Sequence, residues 1–327
     1  MLIGYHASHE QFPPEDLLHL AREAEHAGFD AVMSSDHFKP WSDLQGQSGF
    51  AWSWLGAAMQ ATSVPFGTLA VPGGWRYHPA IVAQAGATLS RLFPGRLGWL
   101  GLGSGEALNE TVVGRGWPPK AERNRRLEAG AQIVRALWNG ETVSRDRPIP
   151  VQDARLYTQP ARPHPLLLGA ALSAETAEWL GGWADGLITV NMPSEQLREI
   201  VAAFHRGGGA GKRLVLQMHL SWAPTEAEAR ELALRNWRFN VVEPAIAENC
   251  PSPQGFEEAT RDLGADDLEG HVIMSSDPDR FVAAIADVAD LGFEELYLHN
   301  VGGNQGAFLT AFGEQVLPRL PANVRAN

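Results

Sequence analysis

Eight short apolar runs, each followed by a longer stretch with helical spacing, dominate this 327-residue chain. The runs are Leu2–Tyr5, Ala31–Ser34, Phe66–Val71, Leu97–Leu102, Leu166–Ala170, Gly186–Val190, Leu214–Ser221 and Glu295–His299. Rich in Val, Ile and Leu and bounded by turn residues, they read as parallel strands buried on both faces. Between them, Leu17, Leu20, Ala21, Ala24 and Ala27 recur at helical intervals, and Gly28 ends the pattern. Pro79 suits a first helical turn, with Ile81, Val82, Ala85 and Leu89 on one face. Ser173 can cap a helix running through Trp179 to Gly181, and Thr225–Trp237 and Pro278–Leu291 give two more. Strand–helix alternation of this kind means βαβ units. Eight of them fit a closed barrel better than an open sheet. The expectation is α/β: a single (β/α)8 TIM barrel over residues 1–327, a size such barrels reach as one domain. Two connections exceed simple turns, at about 139–165, with five prolines, and at about 243–270. They read as loop insertions at the C-terminal face, not as domain boundaries.

Composition narrows the partners. A formal net charge of -12 argues against nucleic acid and membrane surfaces, both of which need basic patches. The one cysteine, Cys250, forms no internal disulfide and belongs to no thiol cluster, which suits a reducing cytosol. The N-terminus has no basic-then-apolar leader, and no run of 18 apolar residues occurs, so a cytoplasmic location is expected. Of the 11 tryptophans, Trp52, Trp54, Trp99, Trp138 and Trp179 sit in apolar-periodic stretches and read as packing residues. Trp41, Trp75 and Trp117 stand beside Gly and Pro in loops, where an amphipathic ring lines a pocket.

In such a barrel, residues just past the strand C-termini face the active site. Polar and aromatic residues concentrate there: His6, Ser8, His9 and Glu10; Ser35, Asp36, His37, Phe38 and Trp41; Trp75, Arg76 and Tyr77; Gly103 to Asn109; and Asn300 to Asn304. The sharpest pair is Asp36-His37, because histidine exchanges protons near neutral pH. Glu106 is a candidate proton donor if apolar surroundings raise its pKa. Gly105 and its neighbours let a planar ligand approach the backbone. Residues 169–174 lead into a helix N-terminus suited to phosphate, with Ser173 as cap. A metal-dependent hydrolase using His6, His9, Asp36, His37 and His299 is a competing reading. It lacks the His-x-His spacing on the first strand, so no metal is expected. His19, His26, His164, His205 and His219 show no partner pattern and read as surface or structural.

Five ordered motifs carry a resemblance over essentially the whole chain. They are Gly4 to Phe12, Ser35-Asp36-His37-Phe38 with Pro40-Trp41, Arg76-Tyr77-His78-Pro79, Gly103 to Glu110, and Ser275 to Asp279. Together they resemble the bacterial-luciferase-like flavin oxidoreductases. Within these, they resemble the branch of deazaflavin (F420)-dependent glucose-6-phosphate dehydrogenases, and most closely its probable FMN-using sister group. The resemblance implies contacts to the flavin-like ring or substrate from Asp36, His37, Glu106 and Asn109. His37 is implied as acid–base residue, assisted by Asp36 and Glu106. Trp41, with Glu10 and Trp75, would border the substrate. It further implies a non-proline cis peptide at a bulge at Leu69-Ala70 that supports the ring, and cofactor phosphate near Ala171, Leu172 and Ser173. A homodimer is implied, with the Trp-rich helix Ala51 to Ala61 as candidate face.

Two departures stand out. The segment Leu268-Glu269-Gly270-His271-Val272 carries no arginine where sugar-phosphate relatives hold phosphate, and Arg198 and Arg213 are poor substitutes by position. Ala170-Ala171-Leu172-Ser173 replaces a Gly-Gly pair, which narrows the space for a deazaflavin tail. The expected function is hydride transfer between FMN (preferred) or F420 and a small organic substrate, with monooxygenation as an oxygen-using variant fed by a flavin reductase. The alternatives are an F420-dependent sugar or alcohol dehydrogenase, a metal-dependent hydrolase, and a flavin-binding protein without turnover.

Overall fold

The computed structural model describes residues 1–322 together with Val324 and Arg325. Eight parallel strands close on themselves: β1 (Leu2–Ala7), β2 (Ala31–Ser34), β3 (Phe66–Ala70), β4 (Leu97–Leu102), β5 (Leu166–Ala170), β6 (Gly186–Val190), β7 (Arg213–Trp222) and β8 (Glu295–Asn300). Consecutive strands pair, and β8 pairs back onto β1, so no edge is left within the ring. Around it run α1 (Pro14–His26), α2 (Ala51–Ala61), α3 (Pro79–Leu92), α4 (Lys120–Trp138), α5 (Ala174–Gly181), α6 (Ser194–Phe204), α7 (Glu226–Trp237), α8 (Pro278–Asp290) and α9 (Gln305–Gln315). The caps obey local chemistry. Ser173 and Thr225 accept the amides of Thr176 and Glu228, and Pro79 occupies the first turn of α3.

Strand alternation sends Ile3, Tyr5, Val32 and Leu100 outward against the helices and Ala31, Met33, Trp99, Leu168, Ile188, Val215 and Tyr297 inward. Two glycines make the inner packing possible. A Cβ at Gly4 would stand 2.3 Å from the Tyr297 ring, and one at Gly67 would stand 2.1 Å from Trp99. Below these rings Glu295 accepts hydrogen bonds from Trp99 Nε1 (2.9 Å), Tyr297 Oη (2.7 Å) and Arg213 (3.2 Å). The barrel is therefore a plugged cup, open only at its C-terminal end.

Three features differ from expectation. The peptides at Leu69-Ala70 are trans, and the cis bonds among the described residues are Arg147-Pro148 and Arg162-Pro163. Leu69 and Ala70 pair in regular register with Gly101 and Leu102, which demands ordinary extended backbone. The bulge lies lower, where Phe66 pairs with Leu97 but Gly67 with Trp99, leaving Gly98 as the extra residue. A short strand Ile273–Ser275 extends the sheet beside β7, and the first insertion holds an antiparallel hairpin, Val143–Arg145 with Val151–Ala154. That insertion leaves the end of α4, yet climbs back to the mouth, where Pro150 O lies 2.9 Å from His78 Nε2 and Ile149 packs beneath Gly74.

The second insertion carries short helices Pro244–Asn249 and Pro253–Ala259 and is tied across the mouth. Glu257 accepts from Ser42 Oγ (2.7 Å) and the Asp43 amide (3.0 Å), Lys39 Nζ donates to Pro251 O (2.9 Å), and Glu248 pairs with Lys120 and Arg123. Of the two tryptophans of helix α2, Trp52 is half-buried and Trp54 packs inward. Trp54 is buried, donating to Pro14 O and packing edge-on against His9 and Phe66. Among the described residues no helix is long and apolar enough to cross a membrane.

Candidate active site

The strand ends bring most of the expected residues into two buried networks. The first surrounds Arg76. Its guanidinium donates to both oxygens of Asp36 (3.1 Å each) and to Asp36 O (2.8 Å), and its backbone amide and Nε reach Glu110 (3.1 and 3.4 Å). Tyr77 Oη completes the Asp36 shell at 3.0 Å. Burial pushes the Asp36 and Glu110 carboxyls above their usual range, and Arg76 opposes that push. Asp36 is thus spent on holding the loops after β2 and β3 together. It is not free to move protons for His37.

The second network centres on Asn109. Its Oδ1 accepts from the amides of Phe38 (2.8 Å) and Lys39 (3.2 Å). Those fixed donors orient the amide, so its Nδ2 donates to His37 Nδ1 (3.1 Å) and toward Glu106 Oε2 (3.4 Å). Neutral His37 therefore carries its proton on Nε2. That atom lies 3.5 Å from Glu10 Oε1, which has no hydrogen-bond partner of its own. The other Glu10 oxygen accepts from Ser8 Oγ (2.7 Å) and Ser35 Oγ (2.8 Å). Burial would raise the Glu10 carboxyl, but His37 and the Ser8 hydrogen bond outweigh it and leave it below the usual range. Glu106 behaves oppositely. Burial, reinforced by Glu10 and Glu110, raises its carboxyl to about 7 against the pull of His37. Trp41 roofs this pair, with its ring centroid 5.1 Å from His37 and edge-on to Phe256.

The remaining expected residues divide. Leu69 points inward against Gly101, whereas Ala70 faces the helical layer. Gly105, at φ +85°, is crowded: a Cβ there would meet Val71 at 2.9 Å and Trp117 at 3.1 Å. The open glycine is Gly103, where nothing lies closer than 3.8 Å. With half-buried Ala170 on the neighbouring strand it forms a small open shelf three residues before Glu106, whereas Gly101 below is filled by Leu69 and Ile188. Ala171 is buried and bonded to Ile188 O, Leu172 is exposed, and Ser173 Oγ caps α5 and reaches Thr176 Oγ1 at 3.0 Å. Trp75 is drawn away from His37. It folds over Gly73 and packs on Trp117, with Arg126 over its ring.

Sequence reasoning overlooked Arg76 and Glu110 as partners, although both stand in quoted motifs. His219, expected to be surface or structural, lies on the inner wall of the mouth with His6 and His299. Burial lowers His6 to about 4, His219 to about 3 and His299 well below its ordinary value. Among the described residues no group of three or more His, Cys, Asp or Glu is arranged to hold a metal ion.

A closed parallel barrel that gathers proton-exchanging groups at one mouth has the make-up of a barrel enzyme, and its relatives place it in the oxidoreductase class. The chain belongs to the luciferase-like monooxygenase family, which it matches over residues 2–295. It is 38% identical, over 98% of its length and 97% of the relative's, to an F420-dependent glucose-6-phosphate dehydrogenase of Nakamurella multipartita. It is 37% identical, over 99% and 98%, to the enzyme of that description from Beutenbergia cavernae. Among solved structures, an F420-dependent secondary alcohol dehydrogenase bound to an F420-acetone adduct superposes with a TM-score of 0.90 at 29% identity, covering 99% of both chains.

Proposed function

We propose that this protein is an F420-dependent dehydrogenase that moves a hydride between the deazaflavin and a small alcohol or carbonyl compound. The similarity to F420 enzymes by sequence and by structure supports F420 over the FMN that the sequence alone favours. With it the oxygen-using variant and its reductase partner lose their basis. The site suits a flat ring: Gly103 is open, and Ala170 beside it is small and half-buried. Gly103, Ala170 and Leu69 would border the ring, and the amides at the start of α5 with Ser173 would hold its phosphate. When bound, F420 supplies two-electron hydride chemistry.

The chain's own residues handle the proton. Converting an alcohol to a carbonyl releases one hydride and one proton. Glu106, raised to about 7, is half ionised near neutrality and suits either direction of proton exchange. His37 keeps its donor on Nε2, the atom that Asn109 leaves protonated, where a substrate oxygen would compete for it with Glu10 Oε1 at 3.5 Å. Trp41 excludes water above the pair. Asp36 and Arg76 fix the loops that carry them. This revises the roles expected from sequence: Glu106 exchanges the proton, and His37 positions the oxygen.

The observation that carries the reading is the coupling of Glu106 and His37 through one oriented amide beside an open glycine shelf. Tryptophan-fluorescence titration with F420 and FMN, followed by anaerobic reduction of F420 with secondary alcohols, tests it. Micromolar F420 binding and alcohol-dependent loss of the oxidised F420 absorbance are expected; preferential FMN binding would overturn it. The reading includes a cytoplasmic homodimer, with half-exposed Phe50 and Ile81 available to its interface. Light scattering at a single-chain mass would remove the dimer.

A further inference from the structure

The mouth has a second wall that the proton-exchanging groups do not use. His219 pairs in register with His299, and the His299 ring lies 4.3 Å from that of His6 on the next strand. All three are inward-facing. His6 and His299 are buried, and His219 and Gln217 are half-buried.

A chain of hydrogen bonds decides which atoms of this wall donate. Gln11 Nε2 donates to Val301 O (2.8 Å), so its Oε1 must accept from His299 Nε2 (2.9 Å). With its proton on Nε2, His299 accepts at Nδ1 from Gln217 Nε2 (3.3 Å). The second hydrogen of that amide goes to His219 Nε2 (3.1 Å), which leaves the His219 proton on Nδ1. A backbone carbonyl thus sets two amide orientations and two tautomers in turn, and an added proton on His219 or His299 would face an N–H donor. Facing the mouth are a free donor at His219 Nδ1 and a free acceptor at Gln217 Oε1. Beneath them is the buried, unpartnered His6 Nδ1.

Most nearby cations are drawn off this wall, the exception being half-buried Arg238 next to Trp237, whose ring packs on His219 and His299. Arg213 lies at the opposite end of β7, paired with Glu294 and Glu295. Arg230 pairs with Asp266 and Glu269, Arg198 is exposed on α6, and the His271 side chain is exposed. The ionised Glu10 lies on the loop that continues β1. A phosphate group here would meet neutral rings and a carboxylate.

We propose that His6, Gln217, His219 and His299 form the specificity-determining part of the substrate site. It takes the hydroxyl or carbonyl groups of an uncharged compound and excludes phosphate esters. This rests on the dehydrogenase reading above, and its test is separable from it.

The full chain, with its imidazoles labelled by 15N, is titrated without cofactor with 2-propanol, D-glucose and D-glucose 6-phosphate. An uncharged probe should move the His219 and His299 resonances, and the phosphate ester should bind at least about a hundredfold more weakly than the better uncharged probe. His219→Lys should narrow that ratio by about tenfold or more. Tighter binding of the phosphate ester overturns the proposal, and its loss in Arg238→Ala would trace the error to that half-buried cation beside Trp237. Failure of every uncharged probe to move any of the three rings also overturns it. If the rings respond as expected but F420 does not quench the tryptophans, the cofactor reading fails and this one stands.

Discussion

Replacing Glu106 by Gln removes the ionisation while keeping the shape, and its effect can be worked from the site. The folded carboxyl holds its proton to about pH 7, against 4.5 for the ordinary group. At 1.36 kcal/mol per pH unit this corresponds to about 3.4 kcal/mol, and water reaching the half-buried group reduces it to about 2 kcal/mol. Between pH 4.5 and 7 the folded state binds more protons than the unfolded state, so this group's contribution makes stability fall as pH rises through that window. Glu106→Gln should match the parent near pH 4 and exceed it by about 2 kcal/mol at pH 8. With an unfolding entropy of about 2.1 cal/mol/K per residue, 327 residues give about 0.7 kcal/mol/K, so the Tm gain is about 3 °C. Calorimetric scans of both proteins from pH 4 to 8 measure the gap. The reasoning fails if the gap is independent of pH or if the variant is the less stable at pH 8. In the same variant, the step near pH 7 in kcat/KM should disappear.

Three further changes test the neighbouring groups. His37→Ala should fold normally yet lose about 10²- to 10³-fold in kcat, and unchanged turnover would remove it from the chemistry. Asn109→Asp keeps an acceptor for the Phe38 and Lys39 amides but turns the other oxygen toward His37 Nδ1. It should move the imidazole proton to Nδ1, visible by 15N NMR, and cut kcat by at least about a hundredfold; full activity with the proton moved would refute the role given to Nε2–H. Arg76→Met strands the Asp36 and Glu110 carboxylates, costing about 3–5 kcal/mol, or about 4–7 °C in Tm. That loss should shrink at pH 5, where both carboxyls can protonate. A loss below about 1 °C at pH 8 would mean the carboxylates never relied on the guanidinium.

The strands were legible because buried parallel strands are written as continuous apolar runs: β2, β4, β5 and β6 end where the pattern ends. The hairpin at Val143–Ala154 was not, since its few residues alternate with charged and proline positions and owe their pairing to packing against α4 and the loop at Gly74. In the site, the local motifs pointed to Asp36, His37, Glu106 and Asn109. Their division of labour depends on Arg76 and Glu110, 40 and 74 positions beyond Asp36. A lone histidine such as His219 carries no local signal at all. Only the register of β7 against β8 reveals that it continues the line from His299. At β3 the bulge lies at the other end from Leu69-Ala70, where Gly67 faces the Trp99 ring and the register skips Gly98.

The floor formed by Trp99, Tyr297 and Glu295 has a kinetic consequence. A cup with one opening imposes a queue: whatever lies against the shelf must arrive before, and leave after, whatever lies beneath Trp41. Initial-rate patterns should therefore be those of sequential, ordered addition, with the second ligand trapping the first. The tied insertion across the rim then acts on the departure of both.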